Sequence, residues 1–450
     1  MTTVTRFAPS PTGLLHVGNI RTALHNWMLA KKAGGRFVLR IDDTDAERSR
    51  EDYVDAIRAD LAWLGMEPDA EERQSARTAI YEDAFERLRQ AGRVYRCYET
   101  AQELDLKRKV LLGRGLPPIY DRAGLSLTEA DHVRFAAEGT APHWRFALDP
   151  AEPIEWNDGI RGPQHFDPAQ LSDPVVRRAD GSWLYMLPSC IDDIEMSITD
   201  VLRGEDHVSN TAAQIQMFTA LHAAGFGAAR PLPRFAHEAL LVGTEGKLSK
   251  RLGSLSGAAL RESGIESDAV VALLARLGTS LPVEPIADRQ TLVDTFDLST
   301  FGRAPARFDE AELDRVNHGI VHQLPFVAVA DRLPAGMDEA AWLAIRPNLE
   351  KVADAADWWR VVTGPIDLPV FDADTRAFLR QAEADLAWQD DAWAVWTGAL
   401  KEATGRKGKA LFLPLRRALT GQDSGPEMAR LLPLLGEDTV RRRLLRAAGA

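Results

Sequence analysis

The sequence predicts a multidomain α/β plus all-α protein: a doubly wound parallel, Rossmann-like sheet, an inserted domain of mixed structure, and a carboxyl-terminal helical domain. Three observations carry this. Residues 4–41 run strand, helix, strand; the pattern breaks near Arg93 and resumes after Trp183; beyond about residue 320 it turns helical and rich in tryptophan. A chain of 450 residues exceeds one ordinary core, so about two to four domains are expected.

Val4 to Ala8 reads as a short strand. From Val17, apolar residues at Ile20, Leu24, Trp27 and Met28 have the spacing of one buried helix stripe, stopped by Gly34 and Gly35. "RFVLRI" (Arg36 to Ile41) is a second buried strand, giving a right-handed βαβ unit with parallel strands. A ligand is then expected beyond the carboxyl ends of those strands. The acidic run "DDTDAERS" (Asp42 to Ser49) starts there, on the same rim as the cramped turn "RFAPSPTGLLHVGN". Two amphipathic helices follow, carrying Tyr53, Ile57, Leu61 and Leu64, then Ile80, Phe85 and Leu88. Between Arg93 and Trp183, short runs such as "HWRFAL" and "DPVVRR" among prolines and Gly turns predict the insertion. "SWLYMLPSCIDD" and "ITDVLRGEDH" read as returning strands, and "NTAAQIQMFTALHAAG" as a helix. Trp358, Trp359, Trp388, Trp393 and Trp396 fall at helical spacing, which favours core positions over stacking platforms.

Net charge is −12, which by itself disfavours a nucleic-acid partner, but phosphate contacts depend on local patches. From Lys401 onward there are eleven Lys/Arg against five Asp/Glu, a basic tail that taken alone reads as a solvated helix face. Cys97 and Cys190 lie far apart and no apolar signal segment opens the chain, so a reducing cytoplasm is expected. No apolar stretch approaches the roughly 18 residues of a membrane span.

Several chemistries are disfavoured. A Walker A loop is absent, and Gly225 to Gly227 follows a helix rather than a strand. "HEALL" at His237 imitates a zinc-protease helix but has Leu241 where the second histidine must stand, so it reads as chance. Cys97 has no Cys or His at ligand spacing, so neither a metal site nor structural zinc is expected. Two elements remain: "HVGN" at a helix start, suited to phosphate, and "GKLSKR" (Gly246 to Arg251), whose Lys247 and Lys250 bracket Ser249 and offer mobile donors to a leaving pyrophosphate. Each alone is equally an ordinary cap or a solvated loop.

Their combination is distinctive. "HVGN" after "APSPTG", then "LRIDDTDAERS", "RGEDHVSNT" and "KLSKR", closely resemble the class I aminoacyl-tRNA synthetases, specifically the glutamyl-tRNA synthetases, through nearly the whole chain to "PLRRALTG". The resemblance implies a two-step ligase: glutamate attacks the α-phosphate of ATP, and the acyl group passes to the terminal adenosine of tRNA. It implies catalytic roles for His16, Gly18, Lys247, Ser249 and Lys250. ATP would be held by His16, Gly18, Asn19, Glu205, Asp206 and Lys250, with Gly204 bordering the same pockets. Glutamate would be held by Arg6, Ala8, Ser10, Asp42, Tyr185, Ser189 and Arg203, the last pairing with the side-chain carboxylate; a fixed guanidinium suits Glu over Gln. Magnesium would come with ATP.

The sequence departs from the family pattern in places. Many members have Glu where Asp42 stands, withdrawing the carboxylate by about 1.5 Å, and Ser189 replaces an Asn. Asn19 stands where other class I enzymes carry histidine, as is usual in the glutamyl kind. By the same likeness residues 1–80 and 185–236 form the catalytic domain, 81–184 bind the acceptor end, 237–320 contact the stem and carry the KLSKR loop, and 321–450 read the anticodon, where unstacked bases meet the basic tail. Asn348 replaces a second arginine used by some members against the anticodon, so tRNA(Gln) is a second candidate beside tRNA(Glu). The expected enzyme is a cytoplasmic monomer without membrane contact. The rival readings are a glutamyl-queuosine tRNA(Asp) synthetase, disfavoured by the residues after 320, and an inactive RNA-binding paralogue, disfavoured by intact His16, Lys250 and Arg203.

Overall fold

A computed structural model describes residues 2–227, 230–243 and 255–449. The chain forms two compact units, Met1–Glu262 with Val270–Glu310, and Ser263–Ala269 with Ala311–Ala450.

The first unit opens with β1 (Val4–Phe7), α1 (Val17–Lys32), β2 (Arg36–Ile41), α2 (Glu51–Trp63), β3 (Ala70–Arg73) and α3 (Thr78–Gln90). β1 runs parallel to β2, with Val4 opposite Arg36, and β2 parallel to β3. The insertion holds β4 (Val94–Cys97), α4 (Ala101–Gly113), α5 (Glu129–Ala137), β5 (His143–Phe146), β6 (Ile154–Asp158), β7 (Gly162–Phe166) and β8 (Val175–Arg177). β4, β5 and β8 make an antiparallel sheet, and β6 and β7 a separate hairpin. The parallel fold then resumes through α6 (Met186–Glu195), β9 (Asp200–Gly204), α7 (Val208–Ala223) and β10 (Arg234–Glu238), with Asp200 opposite Arg234. Thr199 N donates to Val4 O at 2.9 Å, laying β9 beside β1. The order is therefore β3-β2-β1-β9-β10, and it reverses between β1 and β9, where a doubly wound sheet opens its ligand crevice. β11 (Leu241–Gly243), α8 (Gly257–Glu262), α9 (Ser267–Arg276), α10 (Arg289–Asp294) and β12 (Ala306–Phe308) follow, β11 pairing in parallel with β12.

Two expectations need correction. Met186–Glu195, read as strand, is helix: Leu187, Cys190, Ile191 and Ile194 repeat every three or four residues and are all buried, while Pro188 sits in the first turn, where its missing N–H costs no hydrogen bond. α1 is not buried along one stripe alone. Arg21, His25 and Asn26 are buried beside Ile20, Leu24 and Met28, whereas Trp27 is only half-buried. The polar residues are paired: the Glu238 carboxylate takes His25 Nδ1 at 2.6 Å and Thr22 Oγ1 at 2.5 Å, with Arg21 Nε at 3.6 Å. Against the cost of burial, Arg21 and His25 hold the Glu238 carboxyl down at about 2. This ties the end of β10 to α1. Gly34 takes a positive φ of 60° after α1, a left-handed turn that glycine enters without strain.

The second unit is helical: α11 (Glu310–Val321), α12 (Glu339–Ile345), α13 (Ala355–Thr363), α14 (Ala373–Ala384), α15 (Ala392–Thr404), α16 (Lys409–Thr420), α17 (Met428–Leu435) and α18 (Glu437–Ala448). Trp342 and Trp396 are fully buried, their indole N–H groups donating to Leu324 O and Ala382 O. Trp358, Trp359, Trp388 and Trp393 are only half-buried, so helical spacing overstated their share of the core. Among the described residues no helix is long and apolar enough to cross a membrane.

Candidate active site

The carboxyl ends of β1, β2, β9 and β10 share one rim. The Pro-rich turn after β1 is pinned to the acidic segment after β2 by two backbone bonds, Asp42 N to Pro9 O at 3.0 Å and Arg50 N to Pro11 O at 3.1 Å. Ala8 is half-buried and Ser10 exposed on that turn. His16 caps α1: its Nδ1 accepts from Gly18 N at 3.0 Å, and Asn19 Oδ1 accepts from His16 N at 3.4 Å. Burial lowers the His16 pKa, so the ring is neutral; with Nδ1 accepting, the proton sits on Nε2 and is free to donate. A Cβ on Gly18 would lie 2.9 Å from His16 Cε1, so the close approach needs glycine. No acidic residue occupies the first turn of α1, leaving the positive helix end unopposed.

Lys247, Ser249 and Lys250 lie outside the described residues. The chain on their carboxyl-terminal side is described: Leu255 O accepts from Val17 N at 3.1 Å, Gly257 N donates to Leu15 O at 3.1 Å, and His16 bridges to Ser256.

A buried charge cluster lines the crevice. Arg6 Nε and Arg40 Nη1 both donate to Asp193 Oδ1, at 3.2 and 2.8 Å. Arg40 also grips Asp42 through Nε at 2.7 Å and Nη2 at 3.2 Å, and reaches Ser189 Oγ at 3.2 Å. Burial lifts the Asp42 carboxyl to about 6 despite the pull of Arg40. The shortened acid therefore folds back onto Arg40. Tyr185 accepts from Asn210 Nδ2, and burial raises its phenol.

Arg203 differs from its neighbours. It is 9% exposed, its Nη2 donates to Thr211 Oγ1 at 2.5 Å and Gln214 Oε1 at 2.6 Å, and its Nε has no partner. No carboxylate pairs with it among the described residues. Burial, then the nearby Arg6 charge, depresses its pKa to about 10. A buried, uncompensated guanidinium is costly unless a ligand anion completes it. Next along, Glu205 is bound by Arg161 Nη1 at 2.5 Å and by Leu240 N at 3.1 Å, whereas Asp206 is exposed, its Oδ1 lying 2.5 Å from where a Cβ on Gly204 would stand.

Sequence reasoning missed Arg40, Asp193, Thr211, Gln214 and the pair Asp158–His237. Only the doubled acid of "SCIDD" hinted at Asp193. His237, dismissed with "HEALL", is fully buried in β10 and bonded to Asp158 at 2.5 Å. The spacing argument about Cys97 also fails: His143 stands directly across the β4–β5 ladder, and with Glu99 these residues bring one ligand atom each within 4.8 Å. Tyr120 Oη sits among them, 2.9 Å from Glu99 Oε1 and 3.4 Å from Cys97 Sγ.

Residues 2–315 match the family of class I tRNA synthetases for E and Q, catalytic domain, and residues 347–448 match the anticodon binding domain. The chain is 70% identical over 446 residues to glutamate–tRNA ligase 2 of Erythrobacter litoralis, covering 99% of each. It is 71% identical to glutamate–tRNA ligase 1 of Novosphingobium aromaticivorans over 99% of this chain and 100% of that protein. A crystal structure of the glutamate tRNA ligase from Elizabethkingia meningosepticum in complex with its amino acid superposes with a TM-score of 0.85 at 28% identity, covering 100% of both chains.

Proposed function

The chain belongs to the class I tRNA synthetases for glutamate and glutamine, and from that premise we propose that it ligates L-glutamate to tRNA(Glu) in two steps. In the first, a glutamate α-carboxylate oxygen attacks the α-phosphorus of ATP and the bond to the β-phosphate breaks, releasing pyrophosphate. In the second, a ribose hydroxyl of the tRNA's terminal adenosine attacks the acyl carbon and AMP leaves. Both reactants arrive charged, so placement and charge neutralisation supply most of the acceleration.

The neutral His16 Nε2–H and the unopposed end of α1 suit the triphosphate, with Gly18 and Asn19 shaping the approach. Among the described residues the only group of three possible metal ligands is Cys97, Glu99 and His143 in the insertion. Magnesium would come with ATP and would supply charge neutralisation at the phosphates. Lys247, Ser249 and Lys250 receive the leaving pyrophosphate, Glu205 and Asp206 border the nucleotide, and Arg6, Ala8, Ser10, Asp42, Tyr185 and Ser189 surround the amino acid. The insertion, residues 81–184, takes the acceptor end, residues 237–320 the stem, and residues 321–450 the anticodon. The enzyme acts as a cytoplasmic monomer. A glutamyl-queuosine synthetase is disfavoured, because the relatives named as glutamate–tRNA ligases match over nearly the full length.

The observation that carries the reading is Arg203, a buried cation whose Nε lacks a partner and which no carboxylate of the described chain neutralises. Glutamate-dependent pyrophosphate exchange, run with tRNA(Glu), tRNA(Gln) or neither, tests it. Exchange with glutamate and none with glutamine is expected; exchange indifferent to the amino acid would overturn the assignment. Asn348 leads us to expect measurable charging of tRNA(Gln), and complete refusal of it would count against that specificity alone.

A further inference from the structure

Arg203 is held by more than its own strand. A chain of buried hydrogen bonds runs to it from the inserted hairpin. At the end of β6, Asp158 Oδ1 accepts three backbone N–H groups, from Ile160 at 3.1 Å, Arg161 at 2.9 Å and His237 at 3.0 Å. Its Oδ2 takes His237 Nδ1 at 2.5 Å and Trp156 Nε1 at 3.3 Å. On the far side of the ring, His237 Nε2 lies 2.7 Å from Thr211 Oγ1, which receives Arg203 Nη2. Asp158, His237, Thr211 and Arg203 are all at least nine-tenths buried.

The proton positions follow from the partners. Those N–H groups hold the Asp158 carboxyl down at about 2 against the cost of burial, so it is ionised and can only accept. His237 Nδ1 must then carry a proton. Burial disfavours a charged imidazole, which leaves Nε2 as an acceptor. The Thr211 hydroxyl donates to Nε2 at 2.7 Å in preference to its other contact, His207 O at 3.2 Å, and so turns a lone pair toward Arg203. Every link has one permitted direction.

We propose that Asp158, His237 and Thr211 are positioning residues that orient the Arg203 guanidinium for the side-chain carboxylate of glutamate. They act through Arg203, and the inference rests on the reading that Arg203 receives that carboxylate. With Nη2 committed to Thr211 and Gln214 and Nε buried, the guanidinium cannot swing, and Nη1, which takes no bond from the described residues, is the nitrogen left to the ligand. Without the relay Arg203 keeps its charge but loses its fixed orientation, on which selection of a carboxylate over an amide depends.

The test is steady-state pyrophosphate exchange by the full-length enzyme with saturating tRNA(Glu). Thr211→Val, which keeps the shape and removes the hydroxyl, is expected to raise the KM for glutamate about ten- to hundredfold, as for loss of a hydrogen bond to a charged group. The KM for ATP should stay within about twofold, and Thr211→Ser, which restores the hydroxyl, should return the glutamate KM to near wild type. Asp158→Asn supplies an independent readout. Its oxygen remains with the three backbone donors, so its NH2 faces Nδ1 and drives the ring to the Nε2–H tautomer, visible in the imidazole 15N shifts and accompanied by a raised glutamate KM. An unaltered glutamate KM in Thr211→Val, a serine variant as impaired as the valine, or an unchanged tautomer in Asp158→Asn would each overturn the proposal. Arg203→Ala separates the two levels: if it leaves the glutamate KM unchanged, the reading of the pocket fails and the relay with it. If Arg203→Ala raises that KM while Thr211→Val does not, the relay alone fails.

Discussion

Two buried arginines, one in each unit, show how the same side chain serves different ends. Arg443 in α18 and Arg203 in β9 are 5% and 9% exposed, and burial depresses both to about 10. Neither has a carboxylate partner among the described residues. Arg443 is nevertheless satisfied, because Nη1 donates to Leu419 O at 2.5 Å and Nη2 to Val361 O at 2.7 Å and Gly364 O at 2.8 Å. It clips the carboxyl ends of α13 and α16 to α18. Arg203 reaches only two side-chain oxygens and leaves Nε without a partner. A buried cation whose donors are used by backbone carbonyls is a structural clip, and one whose donors remain open awaits an anion.

The largest effect expected from this contrast is on catalysis. Arg203→Met removes the guanidinium proposed to receive the substrate, so kcat/KM for glutamate in pyrophosphate exchange should fall by about a thousandfold, the scale of a lost charge-assisted pair in a dry site. Thermal stability should hold or rise, because an unpaired buried charge is replaced by an apolar chain of similar length. A variant that unfolds while keeping its glutamate KM would make Arg203 a clip like Arg443 and dissolve the comparison.

Arg443→Met should do the reverse. The buried Leu419 carbonyl and the half-buried carbonyls of Val361 and Gly364 lose their donors, so the helical unit should lose about 2–4 kcal/mol against denaturant. Glutamate activation should keep its KM. Charging at 25 °C is expected to survive until that unit melts, which a parallel thermal scan by circular dichroism would register.

How much of this was visible beforehand depends on whether the partners were local. The strand–helix–strand opening could be read because its signals lie within 40 residues: the stripe from Ile20 to Met28, the glycine stop and the run Arg36 to Ile41. The shared rim at the strands' carboxyl ends followed from the parallel connection of β1 and β2. Met186–Glu195 was misread because a short apolar run is ambiguous between strand and buried helix. His237 was discarded because its partner, Asp158, is 79 residues away and reaches it only through the inserted hairpin. His143 escaped notice beside Cys97 for the same reason, since the pairing belongs to the ladder and not to spacing along the chain. That no carboxylate of the described residues pairs with Arg203 depends on everything packed around it, and no short window of residues contains it.

An acidic counterpart offers the smallest and sharpest test of the rule that an open buried charge awaits a ligand. Asp60, on α2, is 1% exposed and neither of its carboxylate oxygens has a hydrogen-bond partner. Burial lifts its pKa to about 6, against the pull of the Arg261 charge. Neither oxygen takes a donor from the described residues, so this charge should be a plain cost. The sign follows from linkage: the folded-state pKa lies above the unfolded value of about 3.9, so the folded protein binds more protons between those limits and stability falls as pH rises through them. Above about pH 6 the penalty is complete. Asp60→Asn removes the charge in nearly the same shape, and should stabilise the first unit by about 1–2 kcal/mol at pH 7.5, the gain shrinking steadily toward pH 4. Thermal melts of both proteins across that range measure it. A stabilisation independent of pH would mean that the asparagine improves packing, and a destabilisation at pH 7.5 would mean that the carboxylate has a role the contrast between the two arginines does not capture.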